Sequence, residues 1–151
     1  SSTPDITIES VARAEFVAVG DCEIMRDRPE RVSLKDFSDI PFINLSDRGP
    51  LGQLLSARLK QEGMNHPSAV RAETYQMAKA LAANGAGITI VDEITARSSG
   101  HSNVIARQLD PSLEFEIGLM YLEGSPLSIV ARRFTRHLKS RIKDFLAETE
   151  S

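Results

Sequence analysis

Apolar positions along the chain change their spacing several times, and each change predicts an element. Glu15 to Gly20, EFVAVG, is a short run of β-formers closed by glycine. The next stretch, DCEIMRDRPERVSLKDFSDIP, is polar and broken by proline, with Ser33 placed to cap one helical turn over SLKDF. Phe42 to Leu45, FINL, reads as a buried strand between Pro41 and the turn residues SDRGP. Pro50 suits the first turn of a helix, where its missing N–H costs little. Leu51, Leu54, Leu55 and Leu59 then give that helix an apolar stripe, and Gly63 stops it. A short strand is expected about Ala69 to Ala72. Glu73 and Thr74 start the helix TYQMAKALAAN, whose Met77, Ala78, Leu81 and Ala82 share a face and which Asn84-Gly85 ends. ITIV is the clearest strand. Val104 to Leu109 and Glu114 to Tyr121 follow as strands separated by the turn LDPS. From Pro126 the tail predicts a long helix, begun by Ser125-Pro126 and striped by Val130, Phe134, Leu138, Ile142 and Phe145.

Strands alternating with helices imply an α/β fold with a mostly parallel sheet. Ligands of such sheets bind beyond the carboxyl ends of strands, where helix N-termini also point. Ser46 to Gly49 after FINL and Asp92-Glu93 after ITIV meet that description.

The segment ANGAGITIVDE raises one competing chemistry, because its two glycines resemble the start of a dinucleotide fingerprint. The order is reversed, however. Helix formers precede Gly85 and β-branched residues follow Gly87, so the chain runs helix, turn, strand, and Ile90 stands where the third glycine belongs. A phosphate cradle is not expected.

Length and composition narrow the picture further. A chain of 151 residues makes one ordinary domain, or one lobe and part of another, and 41% hydrophobic with 26% charged residues is a globular composition. A net charge of −3 argues against nucleic-acid binding over the whole surface. No apolar stretch approaches a bilayer span, and SSTPDITIES lacks the features of a secretory signal, so a cytoplasmic protein without a membrane partner is expected. The lone Cys22 fits a reducing compartment. His66, His101 and His137 have no metal-ligand spacing, and no hydrolase elbow, zinc-protease motif or P-loop is present. We expect no metal, no cofactor and no enzyme.

The order of segments VSLKDFSDIPFINLS, a helix ending in EG, ALAANGAGITIVDEITA and EFEIGLMYLEGSPLSIVARRFTRHLKSRI resembles the effector-binding domain of the LysR-type transcriptional regulators. In that family the matching text is a "v-x-l-x-d-l" turn, "p-f-i", "v-x-a-G-x-G-i-x-x-x-p", and a closing strand and helix with "l-s-x-x-a-r-x-F". Five pieces in order and spacing carry the resemblance, from about Glu15 to the end of the last helix. GITIVDEITA, with no proline after its strand, looks most like the lysine- and opine-sensing branch.

The resemblance implies a periplasmic-binding-protein-like fold: a tail or entry segment over 1–14, a complete second α/β lobe over 15–112, and over 113–151 a return strand and C-terminal helix belonging to the first lobe. Two β-α units of that first lobe, the winged helix-turn-helix and its linker helix have no counterpart here, so DNA is expected only through a domain outside this chain. The implied partners are a small amino-acid-like or opine-like effector and other copies in a homo-oligomer.

The implied effector contacts are Ser46, Asp47, Arg48 and Gly49, which precede a helix N-terminus suited to a carboxylate, with Arg48 as a bidentate partner. Capping by Ser46 or Asp47 is the alternative. Thr74 and Tyr75 open the next helix toward the same cleft, and capping alone also accounts for Thr74. Asp92 and Glu93 would hold an ammonium or guanidinium group; the alternative is that one caps the ITAR turn and the other is solvated. Arg132, Arg133, Arg136, Lys139, Arg141 and Lys143 on the last helix read as its solvated face. A stand-alone solute-binding module of the same two-lobed architecture is the competing function. An α/β enzyme is a third class with no motif behind it.

Overall fold

The computed structural model describes residues 6–46, 48–64, 70–123 and 127–148. The chain forms two compact units, a larger one of Glu15–Glu114 and a smaller one of Ser1–Ala14 with Phe115–Ser151. Seven strands and five α-helices are described: β1 (Ile6–Asp21), α1 (Cys22–Met25), β2 (Arg31–Val32), β3 (Ile43–Leu45), α2 (Pro50–Gln61), β4 (Val70–Ala72), α3 (Tyr75–Ala83), β5 (Thr89–Asp92), α4 (Glu93–Arg97), β6 (Val104–Leu109), β7 (Glu114–Leu122) and α5 (Ile129–Ala147). Ser33 caps a 3-10 turn over Leu34–Phe37, with Asp36 bonding back to the Ser33 N–H in a capping box.

In the larger unit β1 lies between β5 and β6 and is antiparallel to both, while β2 runs parallel to β6. β3 pairs in parallel with β4, and the bridge from Phe42 to Ile88 joins β3's entry to that of β5. The sheet is therefore mixed, and the expectation of a mostly parallel sheet is corrected. The physical reason is β1, which passes between two strands that run against it; apolar patterning reports burial but not strand direction. Phe16, Val17, Ala18 and Val19 are all buried, so this strand is covered on both faces, which explains the unbroken apolar run in EFVAVG. Val17, Val19 and Val91 share a core cluster with Ile43, Ala72, Ala78 and Ala82. Small residues on α3 let that helix approach the sheet closely.

Gly87 shows why the turn into β5 needs glycine: its φ is 131°, and a Cβ there would lie 2.0 Å from the Pro41 carbonyl oxygen. That carbonyl accepts from the Ile88 N–H at 2.9 Å. The close approach that joins β3 to β5 thus depends on a missing side chain.

In the smaller unit β7 pairs with β1, its odd positions partly buried and its even ones exposed. α5 begins at Ile129 with Ser128 as its cap, accepting from the Ala131 N–H at 3.1 Å. The expected start at Ser125-Pro126 lies outside the described residues. No side chain of α5 is fully buried, and Val130 and Phe134 of its expected stripe are 77% and 64% exposed. No helix among the described residues is long and apolar enough to cross a membrane.

Candidate ligand site

The parallel register of β3 and β4 sets Leu45 opposite Ala72, so the chain leaves both strands at one end of the sheet. Ser46 follows β3, its N–H donating to the Ala72 carbonyl at 3.1 Å, and Glu73 follows β4. The helices that continue from these strands, α2 and α3, begin beside each other. Between them is a cavity of about 330 Å³ lined by Leu45, Ser46, Arg48, Gly49, Glu73 and Tyr75 together with the first turn of α2.

Gly49 is the N-cap of α2 with φ 88°, and among the described residues no side chain makes a cap hydrogen bond to that helix. Ser46 therefore does not cap it, and Asp47 lies outside the described residues. A helix N-terminus without a side-chain cap presents N–H groups and the positive end of its dipole, and both favour an anion. Arg48 is exposed at the cavity's rim and makes no ion pair among the described residues.

α3 differs at its N-terminus. Thr74 Oγ1 accepts from the Met77 N–H at 3.2 Å, so the capping alternative is realised at this residue. Tyr75 is partly buried, its ring 6.2 Å from that of Phe16 at an interplanar angle of 47°. Burial and then the negative field of Asp92 push the Tyr75 phenol above its ordinary pKa, which keeps it neutral and able to donate or accept.

The structure does not place Asp92 and Glu93 as a free carboxylate pair. Asp92 caps α4, accepting from the Thr95 N–H at 2.8 Å and from its hydroxyl at 2.6 Å. Glu93 pairs with Arg97 at 2.6 Å and accepts from the Glu15 N–H at 2.9 Å. Asp92 still reaches the site electrostatically through Tyr75, whereas the hydrogen-bonding capacity of Glu93 serves the fold. The acid that lines the cavity is Glu73, which sequence reasoning treated only as a helix start. Its signal was available: Glu73 stands one residue past the end of β4, as Ser46 stands one residue past the end of β3.

Lys79 was also missed. It is 1% exposed, and its ammonium donates to the Thr95 carbonyl at 3.1 Å and to the Ser98 carbonyl at 2.6 Å. It thereby ties α3 to the last carbonyls of α4. Burial lowers its pKa. Among the described residues no group of three histidine, cysteine, aspartate or glutamate side chains is placed to hold a metal ion.

Comparison with known proteins adds family to geometry. Residues 1–143 match the model of the LysR substrate binding domain. The chain is 31% identical over 142 residues to the HTH-type transcriptional regulator DgcR of Pseudoalteromonas sp, a match that covers 94% of this chain and 49% of that protein. The chain thus spans about half the length of this curated relative. Its fold is similar to the Synechocystis PCC6803 CcmR regulatory domain in complex with 2-PG, with TM-score 0.73, 15% identity and coverage of 93% and 68% of the two chains. It is likewise similar to HinK, a LysR family transcriptional regulator from Pseudomonas aeruginosa, with TM-score 0.72, 18% identity and coverage of 90% and 48%. The effector binding domain of QuiR in complex with shikimate gives TM-score 0.69, 22% identity and coverage of 87% and 63%. The chain belongs to the LysR substrate-binding domain family, the effector-binding part of LysR-type transcriptional regulators.

Proposed function

We propose that this chain is the effector-sensing part of a transcriptional regulator and that it takes a small amino-acid-like molecule at the cavity between α2 and α3. The observation that carries this reading is the start of α2: among the described residues its N-terminus has no side-chain cap, and it opens on a 330 Å³ cavity beside Arg48. A carboxylate seated there receives backbone N–H groups and a guanidinium. Glu73 on the cavity wall and the field of Asp92 at Tyr75 favour a positive group on the same ligand. Among the sequence-derived contacts, Ser46, Arg48, Gly49 and Tyr75 form the wall, and Thr74 and Asp92 support it from their helix caps. The CcmR and QuiR domains, which share this fold, were solved with the small molecules 2-PG and shikimate, and by analogy this chain also holds a small molecule.

In the whole regulator the effector acts by biasing an oligomer bound to DNA through a helix-turn-helix domain outside these residues. Lysine and opines are the first effectors to test. Thermal melting of the full-length regulator with lysine, ornithine, arginine and opines is expected to give a saturable rise with at least one of them. A flat response to every member removes the amino-acid-like class.

A further inference from the structure

The smaller unit contains a cavity of about 400 Å³ that the reading above does not use, lined by Glu9, Tyr121, Arg132, Thr135, Arg136 and Lys139. Its charge is unequal. Lys139 is ion-paired with Glu9, and among the described residues neither Arg132 nor Arg136 has an ion-pair partner.

The position of these arginines works against the helix that carries them. Arg132 is the fourth residue of α5, and the first turn has no acid, so a cation stands near the positive end of the helix dipole. Arg136 follows at i+4, the spacing at which like charges repel. Asp144 and Glu148 lie toward the other end, and the last turn has no base. Arg141 and Lys143 stand toward the favourable end of α5, but Arg132 and Arg136 are not explained by its stability, and local conflict of this kind is expected where a site is built.

We propose that this cavity is a second ligand site, selective for a small dianionic oxyanion, a phosphate monoester or a dicarboxylate. Two unanswered guanidiniums match two negative charges, and their planar forks suit paired oxygens. The Thr135 hydroxyl and the Tyr121 phenol on the same wall supply neutral partners. A cavity of this volume is at the lower end of the range for small-molecule sites, which fits a ligand of a few carbon atoms. A bound dianion would also relieve the repulsion between the arginines.

The test is a melting series on the whole chain at constant ionic strength, with sodium chloride replaced stepwise by low-millimolar inorganic phosphate or by succinate. The proposal expects a saturable rise in Tm with at least one of them. It also expects the half-saturating concentration to increase at least tenfold in the Arg132→Gln, Arg136→Gln double variant. Response to phosphate alone assigns the phosphorylated class, and response to succinate alone the dicarboxylates. Arg133→Gln, on the same helix and not lining the cavity, should respond as the parent chain does. At low salt without added dianion, the double variant should melt higher than the parent. Absence of a saturable response, or an equal response in the double variant, overturns the proposal.

Discussion

Lys79 illustrates how a single side chain can hold two helices. Its ammonium is buried, yet it donates to two carbonyls and to the Ser98 hydroxyl at 3.3 Å. Lys79→Met retains the stem and removes the donor, so the Ser98 carbonyl loses its bond to the ammonium while the Thr95 carbonyl still accepts from the Ser98 N–H and hydroxyl. The expected loss is about 1.5–3 kcal/mol, the range for hydrogen bonds made by a charged group, measured by urea unfolding at neutral pH. Glu15 offers a test through pH. Burial, and then the neighbouring Glu93 carboxylate, raise its pKa above the ordinary 4.5. Between 4.5 and the raised value the folded chain holds a proton that the unfolded chain has released, so this group's contribution to stability falls as pH rises through that window. Unfolding free energies from pH 4.5 to 7 should show this decline, and Glu15→Gln should flatten it while keeping a partner for Gln108, whose amide donates to Glu15 at 2.9 Å. Gly87→Ala combines a φ of 131° with the Pro41 clash. It should destabilise the chain by more than the roughly 1 kcal/mol typical of a point substitution.

At the level of elements, the helices differ in their N-terminal caps. α3 and α4 carry side-chain caps from Thr74 and Asp92, and Thr74→Ala should cost about 1 kcal/mol. α2 has none. Most elements were legible in the sequence because each has strong local signals: the Ser33 capping box, Pro50 at the head of α2, and Asn84-Gly85 at the end of α3. Other features were not, β2 at Arg31–Val32 among them. The direction of β1 is a tertiary property that residue spacing does not encode. Lys79 lies beside the expected apolar face of α3, and its burial depends on carbonyls of α4 that only the fold supplies, while Met77, expected on that face, is 51% exposed. The carboxylates of Asp92 and Glu93 stand at a strand end as expected, but α4 and the Glu15 N–H of β1 take up their oxygens. Glu73 lines the cavity instead, because β3 and β4 end in register.

Across the whole chain, burial is uneven. Phe16 and Phe37 in the larger unit are 0% exposed, whereas Phe134 in the smaller unit is 64% exposed. Phe37→Ala should therefore cost about 3–5 kcal/mol. Phe134→Glu should stay within about 0.5 kcal/mol of the parent, as surface substitutions do. Urea midpoints on this chain check the contrast. The two proposed sites likewise lie one in each unit.

The central claim is that the start of α2 receives the effector's carboxylate with Arg48 beside it. Calorimetric titration of lysine, ornithine, arginine and opines into the parent protein and into Arg48→Gln tests it most directly. At least one ligand should bind the parent saturably and bind the variant about tenfold more weakly, a difference of about 1.4 kcal/mol. Binding of equal strength to both proteins, or no binding by any member to the parent, would contradict it.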